Sequence, residues 1–205
     1  MAPSAATDPL GQGTPALDQA LHVLTRAETV LDIGRSTEDI FFYIANVTRH
    51  VDWAHTYLAV EPLATEAPKA GLRFRVQQKQ DLRWDKLPFT TVAGRSGADY
   101  TTELEVVEVT PHTRLAWRGQ VLGEPFVNEW GLFLTEVEVV LEPISERIAT
   151  VRMRTRLDGS HQALVDWLES LRGRGWPPDV LNRQVDRSMH NLRTILEGRA
   201  TPVRV

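Results

Sequence analysis

Two periodicities divide this chain, a step of two and steps of three and four. The segments YLAVE (57–61), LRFRVQQKQ (72–80), YTTELEVVEV (100–109), TRLAWR (113–118), LFLTEVEVVL (132–141) and IATVRMRTRL (148–157) all alternate apolar with polar positions. ETVLDI (28–33) does the same earlier in the chain. Alternation places successive side chains on opposite faces of a strand, so seven strands with one buried face are predicted. Between the first and second, Ser36 precedes Glu38 and Asp39 in EDIFFYIAN, a capped helix start with acids at its positive end. A second short helix is expected through VTRHVDWAH (47–55). Pro111-His112 and EPISER supply turns. Leu181, Val185, Met189, Leu192 and Leu196 recur at steps of three and four, predicting a long helix over about 179–197.

The polar parity of the strands carries an ordered set of charges. It is acidic on the first strand (Glu28, Asp32) and the second (Glu61), then basic on the third (Arg73, Arg75). Glu103 and Glu105 follow, then Arg114 and Arg118, then Glu136 and Glu138, then Arg152, Arg154 and Arg156. Opposite charges on neighbouring strands attract by about 0.2–1 kcal/mol per pair, and like charges repel. The alternation predicts a meander in which strands two to seven pair with their sequence neighbours. The acidic first strand then belongs beside the basic seventh. These charges make a solvated face whose signs cancel.

The other parity is apolar and must be covered, by the two early helices and the long last one. It includes Leu72, Phe74, Leu104, Leu115, Trp117, Phe133, Val137 and Met153, with Thr102, Thr135 and Thr155 as its polar members. A buried hydroxyl needs a partner, which is the backbone, a water or a ligand oxygen. Trp117 serves either as pocket lining or as core; Trp53 reads as a core anchor. Tyr57, Tyr100, Gln78 and Gln80 fall near the ends of the buried face.

Composition and motifs narrow the chemistry. A net charge of -4 offers no basic field for nucleic acid, and no apolar run reaches membrane-span length. Without cysteine there is no disulfide or thiolate, and a cytoplasmic protein is expected. No Gly-rich phosphate loop is present, so no cofactor is expected. His50 and His55 are five apart, off helical metal-ligand spacing, and no metal site is expected. Ser160-His161 lacks a nucleophile elbow.

Strand, two short helices, six-stranded meander and long terminal helix is the element order of the helix-grip fold. Through STEDIFFYIANVTRHVDWAH, EVVEVTPHTRLAWR and the hairpin over 133–159, the chain resembles the START-like superfamily, within it the bacterial polyketide cyclase/dehydrase group. The resemblance implies an α+β fold, a curved seven-stranded antiparallel sheet wrapped around the C-terminal helix, over residues 28–198. Outside it fall a disordered tail (1–14), an extension with a short helix (15–27) carrying Leu17, Leu21 and Leu24, and a C-terminal tail (199–205). Three insertions depart from the pattern, at 81–99, 119–130 and 159–178, the last including a helix in HQALVDWLESLRG.

Three functions remain open at this stage. The first is binding of a hydrophobic or aromatic small molecule (a polyketide, quinone or lipid-like compound) between sheet and helix. Its expected lining is Phe74, Thr102, Leu104, Trp117, Phe133, Thr135, Met153 and Thr155 from the sheet, Val185 and Met189 from the helix, and Trp84 from the first insertion. The second is a polyketide aromatase/cyclase, in which the pocket guides aldol closure and dehydration. No inward histidine, arginine or carboxylate stands out on the strands to serve it. The third is a protein-interaction module, against which stands the evenly charged outer sheet.

Overall fold

The sheet runs in the order β1-β7-β6-β5-β4-β3-β2, the order the alternating charges require. The computed structural model describes residues 21–63, 69–79, 100–122, 133–160 and 178–198. Its strands are β1 (His22–Ile33), β2 (Tyr57–Pro62), β3 (Arg73–Gln78), β4 (Tyr100–Thr110), β5 (Arg114–Leu122), β6 (Phe133–Ser145) and β7 (Ile148–Gly159). Between β1 and β2 lie α1 (Thr37–Ala45), a 3-10 turn (Val47–Arg49) and α2 (His50–Trp53). The long helix α3 spans Pro178–Leu196.

Every neighbouring pair is antiparallel, and the registers place opposite charges side by side. Glu136 faces Arg156 and Glu138 faces Arg154, while Arg118 faces both Glu136 and Glu105. Arg154 reaches Glu28 at 2.7 Å on one side and Glu138 at 3.3 Å on the other. Arg75 spans Glu61 and Glu103 at 3.6 and 3.7 Å.

Two expectations are corrected here. Residues 22–27 are not part of a helical extension; they lengthen β1, pairing with β7 out to His22 and Gly159. Leu24 thus serves a strand, because an open partner edge on β7 satisfies more backbone groups than a short isolated helix would. The insertion expected from 119 begins later, since Gly119–Leu122 complete β5. The 1–14 and 199–205 tails, the helix expected in 161–173 and the segment 81–99 lie outside the described residues.

Curvature has identifiable sources. Register shifts interrupt the ladders at Val23/Thr25, Tyr57/Ala59, Val106/Glu108 and Pro143/Ser145, and such bulges bend strands and increase twist. Gly119 lets β5 lie against β4 so closely that an added Cβ would collide with the Glu103 carbonyl. Into the resulting trough pack Leu181, Val185, Met189 and Leu192 of α3. That helix is tied to β1 by Thr29 donating to Asp186, and to the segment just after β1 by Gly34 N–H donating to Glu197 at 2.9 Å. Asn191 donates to the Trp53 carbonyl at 3.3 Å, fastening it to α2. Helix α1 starts at Ser36, whose hydroxyl accepts from Asp39 N–H at 3.1 Å, and buries Ile40, Phe41 and Ile44.

Candidate functional site

The trough is not filled evenly along its length. One end is solid: Leu72, Phe74, Leu104, Val106 and Leu115 of the sheet pack with Met189, Leu192 and the α1 side chains into one continuous core. At the other end a cavity of about 110 Å³ lies between the sheet and the N-terminal half of α3. The sheet contributes Gln78, Tyr100, Thr102, Trp117 and Val121, then Thr135, Val137, Met153, Thr155 and Leu157. Leu181, Gln184, Val185 and Ser188 come from α3. Trp53, Ala54, Thr56 and Tyr57, from the α2–β2 junction, complete the described lining.

Of the residues expected at a site, Thr102, Trp117, Thr135, Met153, Thr155 and Val185 line this cavity. Phe74, Leu104 and Met189 do not. Phe74 and Leu104 are cross-strand partners at the solid end, where Phe74 meets the His50 ring edge-on with centroids 5.7 Å apart. Met189 lies one helical turn beyond Val185 and is fully buried in the same core. Phe133 opens β6, but its side chain, like all of Trp84, lies outside the described residues. Tyr57, Gln78 and Tyr100, expected near the ends of the buried face, sit on the cavity wall.

The polar part of the wall is a small hydrogen-bonded network. Gln78 is the last residue of β3 and only 8% exposed. Its Nε2 donates to Thr102 Oγ1 at 2.8 Å. Its Oε1 accepts from the hydroxyls of Tyr100, at 3.3 Å, and Thr56, at 3.4 Å. The partner that the buried Thr102 hydroxyl requires is therefore a side chain rather than the backbone. Across the cavity the Ser188 hydroxyl donates to the Gln184 carbonyl at 2.8 Å and accepts from His55 N–H at 3.0 Å.

Behind the wall stands a histidine that strand periodicity could not find. His50, on α2, is fully buried, with its ring centroid 4.9 Å from Trp117 and 5.2 Å from Trp53. Nε2 lies 2.7 Å from the Ile44 carbonyl, which makes Nε2 the donor and leaves Nδ1 unprotonated. Nδ1 and the indole nitrogens of Trp53 and Trp117 have no hydrogen-bond partner among the described residues. Burial lowers the His50 pKa to about 4, against a smaller opposing effect of the Ile44 carbonyl, so the ring is neutral at pH 7. The only sequence signal was positional: His50 precedes Trp53 by three, which puts both on one helix face. Burial also pushes the Tyr57 phenol up to about 12, opposed in part by the adjacent Trp117 indole.

The cavity therefore offers rings, aliphatic groups and neutral hydrogen-bonding groups. No charged side chain lines it among the described residues. No group of three or more described His, Asp or Glu could hold a metal ion. No described helix is long and apolar enough to cross a membrane.

No family model matches the chain, and no curated protein matches it in sequence. Solved structures do match. A conserved protein from Geobacillus kaustophilus aligns over 84% of this chain and 95% of its own, with 10% identity and a TM-score of 0.57. A START superfamily protein from Mycobacterium smegmatis aligns over 85% of this chain and 95% of its own, with 10% identity and a TM-score of 0.51. The chain has the START-like fold. The di-domain ARO/CYC StfQ of the steffimycin biosynthetic pathway shares this START-like architecture, at 12% identity and a TM-score of 0.56, over 86% of this chain. The chain spans about half the length of that protein and of the related di-domain ARO/CYC BexL, 51% and 46% respectively. Identities this low carry the START-like fold and not an activity.

Proposed function

We propose that this chain binds a small apolar ring compound in the cavity between the concave face and α3. The observation that carries this reading is the lining itself: Trp53, Tyr57 and Trp117 supply aromatic rings, Met153, Leu181 and Val185 supply further apolar contacts, and no described charge intrudes. That combination, apolar with a few placed polar groups, is the usual makeup of a ligand site. Size limits the occupant. A dry cavity of about 150 Å³ accepts benzene, so about 110 Å³ leaves room for no more than a single ring, which can belong to a larger polyketide or quinone. Catalysis finds less support, because His50 does not line the cavity and a phenol near 12 exchanges protons poorly at neutral pH.

The test is titration with p-cresol and toluene, followed by tryptophan fluorescence and melting temperature. Saturable quenching and a rising melting temperature are expected, since a ligand that binds only the folded state stabilises it. Val185→Trp, which fills the space from α3, should abolish both responses while the variant still melts cooperatively. Absence of saturable binding by either compound, or unchanged binding in a folded Val185→Trp variant, would overturn the reading.

A further inference from the structure

We infer that Gln78 and Thr102 form a recognition point for an uncharged oxygen on the ring ligand, a hydroxyl or a ketone, and so set the chemical class the cavity accepts. This rests on the binding reading above and specifies its ligand. Gln78 Oε1 accepts from two hydroxyls, those of Thr56 and Tyr100. Nε2 then has two N–H groups, one of which is given to Thr102 Oγ1. The second has no partner among the described residues, and neither does the proton of the Thr102 hydroxyl. Both side chains are buried, Thr102 completely, and both face the cavity. The wall thus presents two spare donors beside the apolar side chains of Trp117, Val137, Met153 and Val185. Spare buried donors are costly, and the group that satisfies them is an acceptor oxygen.

Charge selects further. A carboxylate or phosphate placed here would leave water with no described cation on the lining to compensate it. A neutral phenol or aryl ketone loses far less on entry. Its ring would lie among Trp117, Met153 and Val185 while its oxygen meets Gln78 and Thr102.

The experiment compares p-cresol, acetophenone, toluene and benzoate as ligands of the full chain at pH 7 by calorimetric titration. The two neutral oxygenated rings should bind at least about tenfold more tightly than toluene, because an analogue lacking the oxygen leaves the donors unpaired. Benzoate should bind at least about tenfold more weakly than p-cresol. In Gln78→Leu the advantage of p-cresol over toluene should shrink to about threefold or less. Thr102→Val should reduce the same advantage, and it serves as the second variant if Gln78→Leu does not fold. Toluene matching p-cresol, benzoate matching p-cresol, or an advantage unchanged in a folded variant would each overturn the inference while leaving the binding site standing. Failure of all four compounds to bind would overturn the binding reading and the inference with it.

Discussion

The two faces of the same sheet are stabilised in opposite ways. On the convex face, Arg154 bridges Glu28 and Glu138, and Arg114 bridges Glu108 and Glu138, all in contact with solvent. Such pairs are individually weak, about 0–1 kcal/mol, since water screens them and long side chains lose freedom to form them. On the concave face single side chains are buried almost completely. Trp117 is 1% exposed and joins the solid core to the cavity wall, and His50 is held neutral by complete burial. The convex face distributes its contribution over many replaceable pairs and specifies strand order. The concave face concentrates its contribution in single side chains and leaves a cavity beneath α3.

The sharpest way to break this contrast is to delete one wall. Trp117→Ala should cost about 3–5 kcal/mol in chemical denaturation, as for other fully buried aromatics, and should also remove ring binding. A loss under about 1 kcal/mol would show that the concave face is as replaceable as the convex one.

Acid sharpens it next. The His50 pKa is about 4 in the folded chain against 6.5 for the free side chain. The unfolded chain therefore binds more protons between those values, and stability falls as pH drops from about 6.5 to 4. About 2.5 pKa units correspond to a loss on the order of 3 kcal/mol once the pH lies below both values. Replacing the imidazole by a group that cannot titrate, as in His50→Gln, should flatten the slope in that window whatever it does to stability at pH 7. An unchanged slope would mean that convex carboxylates such as Glu28, whose pKa is lowered chiefly by its hydrogen bond to Arg154, dominate acid unfolding.

The smallest effect belongs to the charged ladder. Register makes Arg154, and not Arg152, the direct partner of Glu138. Glu138→Lys and Arg154→Glu should each destabilise modestly, and the double variant should recover about 0.2–1 kcal/mol of coupling. Strict additivity would show that strand order owes nothing to this pair.

Much of the fold was legible because its signals are local and redundant. The alternation of apolar residues in YTTELEVVEV and IATVRMRTRL identifies strands, and the alternating outer charges identify their neighbours, since a ladder constrains each pair independently. Ser36 announced α1, a cap being a short-range device. The limits of β1 were not legible, because residues 22–27 become strand only when the β7 edge is present to pair with them. The cavity wall was legible in part. Inward parity located Thr102, Trp117, Thr135, Met153 and Thr155, but it could not separate wall from core, so Phe74, Leu104 and Met189 looked equivalent to them. That separation depends on how the bent sheet and α3 meet, and the register shifts and the close approach at Gly119 take effect only in the assembled fold. The burial of His50 and the hydrogen bonds of Gln78 were likewise settled only in three dimensions. Periodicity reports which face a side chain occupies, whereas solvation and pairing depend on what the rest of the chain brings to that face.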